Sequence, residues 1–148
     1  MSPDHERSCV RPSWHHTWMK IAHTIAERSY DERLKVGAII VSSDNTQILA
    51  LGYNGNARGL PNVSDSDVPG GSGFIHAEAN SLIKLDFNNP KKKIMYVTHS
   101  PCRQCAKMIV NANIDRIVYD QLYRDRSGIE LLEQCGITTQ LYSTCETC

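Results

Sequence analysis

The sequence predicts an α/β fold, a three-layer α/β/α sandwich on a five-stranded mixed sheet. Two short runs rich in β-branched and aliphatic residues, Val36–Val41 and Ile48–Tyr53, flank the polar stretch Ser42–Thr46 and read as a β-hairpin. From residue 76 onward, helical periodicity alternates with short apolar runs, the pattern of strands joined by crossover helices. The chain has 148 residues, 41% hydrophobic and 22% charged, which suits one domain with a packed core, residues 1–148.

Taken in order, residues 1–11 are polar and aperiodic and read as a loose arm. Ser13 can cap a helix running to about Arg28, with Trp14, Trp18, Ile21, Ala22 and Ile25 on one core-facing stripe. The hairpin follows. Residues 58–74 form a long loop rich in Gly, Pro, Ser and Asp, a length common in lids and binding loops. His76–Leu85 then reads as a helix, Ile94–Thr98 as a strand and Cys102–Ala112 as a helix. Arg116–Tyr119 reads as a strand, Ser127–Gln134 as a helix and Thr138–Leu141 as the last strand, with 143–148 a loose tail. No internal repeat or low-complexity tract interrupts this order.

Sixteen basic and sixteen acidic residues cancel. A protein that grips many phosphates carries a basic surplus, so a small substrate is favoured over a long polynucleotide. No apolar stretch has the length of a signal peptide or a membrane span, and a cytoplasmic protein with reduced thiols is expected. In that setting closely spaced cysteines read as metal ligands or reactive groups. The tail Cys145-Glu146-Thr147-Cys148 offers one such pair. With Cys9, His15 or His16 it could form a separate metal site, and free thiols on a frayed end are the other reading.

Two segments carry the chemistry: His76-Ala77-Glu78 and Pro101-Cys102-Arg103-Gln104-Cys105. They match the H-x-E and P-C-x-x-C signature of the zinc deaminases. A catalytic zinc takes three protein ligands and leaves a position for water; one imidazole and two thiolates supply three. Cys102 and Cys105 share one face of a helix, and Pro101 suits the start of that helix. The helix dipole there favours ionised thiols. Two thiolates cancel the metal's double positive charge, so the site acidifies water less than an all-histidine site, where the water pKa is about 7. A nearby base is then useful. Glu78 sits two residues past His76, close enough to move protons and poorly placed to be a fourth ligand. A purely structural site would instead want a fourth Cys or His; His99, at a strand end, is expected on the solvent side.

With Ala26-Glu27-Arg28-Ser29, Val36-Gly37-Ala38, Gly52-Tyr53-Asn54-Gly55, His76-Ala77-Glu78-Ala79-Asn80 and Ser100–Lys107, the chain resembles the cytidine and deoxycytidylate deaminase family. Within it, the dCMP deaminases are most similar. The likeness runs from about Arg28 to Ile137 and includes Tyr119 and Tyr123. It implies a cytidine deaminase-like fold, one catalytic Zn2+ per chain and hydrolysis of dCMP to dUMP and ammonia, which supplies dUMP for dTTP synthesis. It implies that Asn54 binds the sugar and that the backbone at Ala77 and Ser100 reads the pyrimidine edge. Tyr123 would pack near the nucleotide and Arg28 would take the phosphate, with a surface ion pair the plainer reading of Arg28. It also implies a homo-oligomer, with dCTP and dTTP as effectors in regulated members. Ala57, followed by Arg58, stands where many dCMP deaminases have proline in a turn that helps form the effector site, which leaves effector control open. The long loop holds no Cys or His before His76, so the second structural zinc of some relatives is not expected.

Three alternatives share parts of this pattern. One is a deaminase of dCTP or free (deoxy)cytidine, and another is a tRNA adenosine-type deaminase. The third is a zinc-stabilised binding module without catalysis, which has no use for Glu78.

Overall fold

A computed structural model describes residues 11–145, with side chains through residue 143. Helix α1 (Trp14–Ala26) opens it, and the Ser13 hydroxyl accepts the His16 N–H at 3.1 Å, satisfying one of the first-turn donors. The buried face of α1 is Trp18, Met19, Ala22 and Ala26. It is rotated from the predicted stripe: Trp14 is 49% exposed and stacks on Trp18, and Ile21 and Ile25 are only partly buried. The cause lies across the interface. A Cβ at Gly37 would come within 2.1 Å of the Ala22 carbonyl, so helix and strand touch backbone to backbone. Only small residues such as Ala22 and Ala26 fit that seam, and the larger side chains are displaced to its rim.

Strand β1 (Gly37–Ser42) is buried along its whole length, and β2 (Ile48–Tyr53) pairs with it antiparallel. Asn45 turns the hairpin at φ 61°, a left-handed conformation that Asn tolerates, and its Oδ1 accepts the Trp18 Nε1–H at 2.9 Å. The remaining elements follow as α2 (Ala77–Lys84), β3 (Lys93–His99), α3 (Arg103–Asn111), β4 (Arg116–Gln121), α4 (Ser127–Gln134), β5 (Thr138–Leu141) and α5 (Tyr142–Cys145). The sheet order is β2-β1-β3-β4-β5. Strand β1 is antiparallel to both neighbours, and β3, β4 and β5 are parallel, giving the expected mixed five-stranded sheet.

Alternation along the strands builds two cores. Ala38, Ile40, Met95, Val97, Ile117 and Tyr119 pack in one cluster with Ala77 of α2, Ala106 and Ile109 of α3, and Ile129 and Leu132 of α4. Ile39, Val41, Ile94, Tyr96 and Val118 pack with Trp18, Met19 and Ala22 of α1. The result is the predicted three-layer α/β/α arrangement. No helix of the described residues is long and apolar enough to cross a membrane. Pro101 does not occupy the first helical position: Cys102 is the N-cap of α3 and Arg103 its first residue, so Pro101 fixes the approach to the helix. The suggested site at Cys9, Cys145 and Cys148 lies outside the residues whose side chains are described. His15 and His16 lie within them and pair with Tyr96 and Tyr142, respectively.

Candidate active site

The two motifs meet at the N-termini of α2 and α3. His76 is the N-cap of α2 and Cys102 the N-cap of α3, both extended; the Cys102 Sγ accepts the Cys105 N–H at 3.4 Å, while the His76 side chain makes no cap bond. The His76 Nδ1 lies 3.5 Å from the Cys102 Sγ and 3.4 Å from the Cys105 Sγ. Tetrahedral zinc, with Zn–S near 2.3 Å and Zn–N near 2.0 Å, sets nitrogen and sulfur about 3.5 Å apart. The three donors therefore fit a zinc ion, and they form the only such group of His, Cys, Asp or Glu among the described residues. With Nδ1 facing the sulfurs, the ring proton belongs on Nε2.

The protons of these groups are coupled. A hydrogen bond from the Cys105 thiol draws the Cys102 thiol down to about 4, with His76 adding to the effect. Cys105 moves the opposite way, pushed up by its bond to Cys102 and by burial. His76 is raised by its bond to Cys102. A divalent cation supplies the positive charge this cluster otherwise gathers from protons.

Glu78, in the first turn of α2, is buried at 4% exposure. Burial pushes its carboxyl up to about 7, and the Cys105 thiol and the charge of His76 oppose this in part. A buried carboxyl without a compensating charge is costly. Placing it beside a cation site resolves that cost and leaves a group that exchanges protons near neutral pH.

These groups border a cavity of about 580 Å³, in the range that holds a small organic ligand. Ala77 and Tyr123 line it. Asn54 lines it too, but its side chain is engaged: Oδ1 accepts the Val36 N–H at 2.8 Å, and Nδ2 donates to the Asp31 carboxylate at 3.1 Å and the Leu34 carbonyl at 2.8 Å. It clamps the turn before β1. Ser100 is fully buried and outside the lining. Its N–H donates to the Gln121 carbonyl, and its Oγ accepts the Tyr123 N–H at 2.8 Å. Arg28 is exposed at the end of α1 and does not reach the cavity. Arg33 and Arg124 do, together with Asp31 and Asp125. Sequence reasoning passed over all four. The available signals were Asp31 and Arg33 in the turn just before β1 and Arg124 directly after Tyr123. The long loop supplies Pro69, Gly70, Ser72 and Phe74 to the same cavity, and Arg33 Nη2 donates to the Asp67 carbonyl, tying loop to turn. His99, expected on the solvent side, is partly buried against Tyr123.

Residues 12–121 match the profile of the cytidine and deoxycytidylate deaminase zinc-binding region. The chain belongs to this family. It is 33% identical over 149 residues to the deoxycytidylate deaminase of Saccharomyces cerevisiae, an alignment covering 93% of this chain and 47% of that protein. The chain thus spans about half of the yeast protein's length. The deoxycytidylate deaminase of Mycobacterium phage D29 is 35% identical over 124 residues, 74% of this chain and 95% of that one. Among solved structures, the dCMP deaminase of cyanophage S-TIM5 in complex with dCMP and dUMP superposes with a TM-score of 0.75 at 32% identity, covering 95% of this chain and 99% of that chain. A structure from work on tRNA:A34 deaminases, at 21% identity and a TM-score of 0.60, shares the fold alone.

Proposed function

We propose that the chain is a zinc-dependent dCMP deaminase that hydrolyses dCMP to dUMP and ammonia. One observation carries the reading: His76, Cys102 and Cys105 converge at 3.4–3.5 Å beside a nucleotide-sized cavity, with a buried Glu78 on the first turn of the same helix. The yeast, phage D29 and S-TIM5 proteins, all called deoxycytidylate or dCMP deaminases, support the choice of substrate.

Zinc would be held by His76, Cys102 and Cys105 and would supply Lewis-acid activation of water. The chain's own residues do the rest. Glu78 takes a proton from the attacking water and delivers one to ring N3. It then takes the second proton from the hydroxyl now on C4 and passes it to the amine as the C4–N bond breaks, so oxygen replaces nitrogen at C4 and ammonia leaves. Ala77, the first residue of α2, lines the cavity, and the donor that the first turn of a helix offers there suits the base carbonyl. Tyr123 flanks the base. Asn54 shapes the sugar pocket through the turn it clamps, and Arg33 and Arg124 supply the positive charge for one phosphate group in place of Arg28. A homo-oligomer belongs to this reading; the edge strand β2 and the α2 helix packed on it leave Ile48 and Ile83 exposed.

Ammonia release from dCMP, dCTP, deoxycytidine and a tRNA, compared side by side, tests the substrate. dCMP should react best, and reaction of the tRNA alone would remove the free-nucleotide reading. Glu78→Gln should keep its zinc and lose roughly 10²–10⁴-fold in turnover. Undiminished activity in that variant would refute the proton-transfer role.

A further inference from the structure

We infer that His99 is a positioning residue, holding Tyr123 as one wall of the nucleotide pocket; the inference rests on the nucleotide reading of that pocket. Tyr123 needs such support. It follows the last residue of β4 by two positions, in a run from Gln121 to Arg126 that is exposed throughout, and it is itself 36% exposed. Two contacts hold it from behind. Its N–H donates to the Ser100 Oγ at 2.8 Å, and its ring lies 5.6 Å from the His99 ring at a tilt of 35°. The first contact fixes the backbone, and the second fixes the direction of the ring.

His99 is oriented in its turn. Its Nδ1 lies 3.2 Å from the Thr98 Oγ1, and that oxygen accepts the Gly37 N–H at 3.2 Å. The Thr98 hydroxyl keeps its hydrogen and a second lone pair beside the one Gly37 takes, so it pairs with Nδ1 in either tautomer and fixes the direction of the ring. The titratable neighbours are His23 on α1 and Asp120 on β4, which pair with each other at 2.6 Å. His99 neither lines the cavity nor belongs to the metal-binding group. Its route to the substrate is the Tyr123 ring. Residues 98–102 thus carry the wall's support at one end and a metal ligand at the other.

The test uses the zinc-loaded full chain. His99→Ala should raise KM for dCMP about 2- to 12-fold, the worth of one aromatic pair, with kcat and zinc content little changed. His99→Phe, which keeps a flat ring, should restore KM. Tyr123→Ala should raise KM as well, and His99→Ala placed on top of it should add nothing. A wild-type KM in His99→Ala, or effects that multiply in the double variant, would overturn the inference. A second readout is independent of substrate. The ring resonances of Tyr123, assigned by comparison with Tyr123→Phe, should move toward their solvent-exposed values in His99→Ala and stay in place in His99→Phe. Unmoved resonances in His99→Ala would sink the positioning role whatever the substrate. A wild-type enzyme inert toward dCMP would instead refute the dCMP reading and leave this spectral test decisive.

Discussion

Adding one methyl group to strand β2, as Gly52→Ala, should loosen the metal centre from behind. A Cβ at Gly52 would lie 2.6 Å from the Ser81 nitrogen, 2.9 Å from the Ala77 carbonyl and 2.9 Å from the Asn80 carbonyl carbon. All three are backbone atoms of α2, so no side chain can swing aside. Opening 2.6 Å to the 3.4 Å of ordinary contact moves the helix by about 0.8 Å. Metal sites tolerate departures of about 0.2 Å from their bond lengths, and α2 carries both His76 and Glu78. Overpacking of this kind costs about 1–3 kcal/mol, or roughly 2–12 °C in Tm for a domain of this size. Zinc retention against a graded chelator, together with thermal melts, measures both effects. Gly55→Ala is the control, because its Cβ would meet only the edge of the Tyr53 ring at 4.0 Å. Wild-type zinc affinity and Tm in Gly52→Ala would show that α2 is free to move, and the argument from close packing would fail.

Cys105→Ala should abolish stoichiometric zinc and lower Tm, while chelation of the wild type should lower Tm toward the same value. Metal analysis and melts with and without added zinc check this, since free zinc at about 100 times its Kd stabilises by about 2.7 kcal/mol. Acidification should weaken the fold in part through His99. Burial holds that imidazole below its ordinary value, with His23 adding to the effect and Asp120 opposing it. The folded state therefore prefers the neutral ring. Its contribution is whole above the unfolded value of about 6.5 and is lost as pH falls through the depressed folded value. Denaturant midpoints followed from about pH 7.5 to about pH 5 should fall less steeply in His99→Phe than in wild type; identical slopes would contradict the assignment.

The metal ligands and Glu78 were legible because their chemistry demands particular residue types at fixed spacing, and the elements because alternation and helical periodicity are local. What the sequence hid were properties of contact. Trp14 fits the apolar stripe of α1, yet the backbone approach at Gly37 puts Ala22 and Ala26 at the seam and leaves Trp14 exposed. Asn54 has the right chemistry for a sugar hydroxyl, but the turn before β1 engages its amide first. Arg28 and Arg33 differ by five positions in one polar stretch, and only the path of the turn decides which faces the cavity. The neutral total charge likewise concealed two arginines converging at one place.

The strand directions explain why that place exists. Strand β1 is antiparallel to both β2 and β3, so β2 and β3 run the same way on either side of it. Each is followed by a helix, and the N-termini of α2 and α3 therefore emerge at the same sheet edge. His76, reached through the long loop that follows β2, and Cys102, 26 residues further on, meet there. Because β1 runs in reverse, the turn that enters it, with Asp31 and Arg33, arrives at that edge as well. Parallel pairing of β3 with β4 brings the segment after β4, with Tyr123 and Arg124, to the same side. Ligands bind outside the carboxyl ends of strands in open α/β sheets. Here that edge also gathers the start of the antiparallel strand, so the metal donors, the buried Glu78 carboxyl and the polar groups lining the cavity come from four chain segments that one sheet topology forces together.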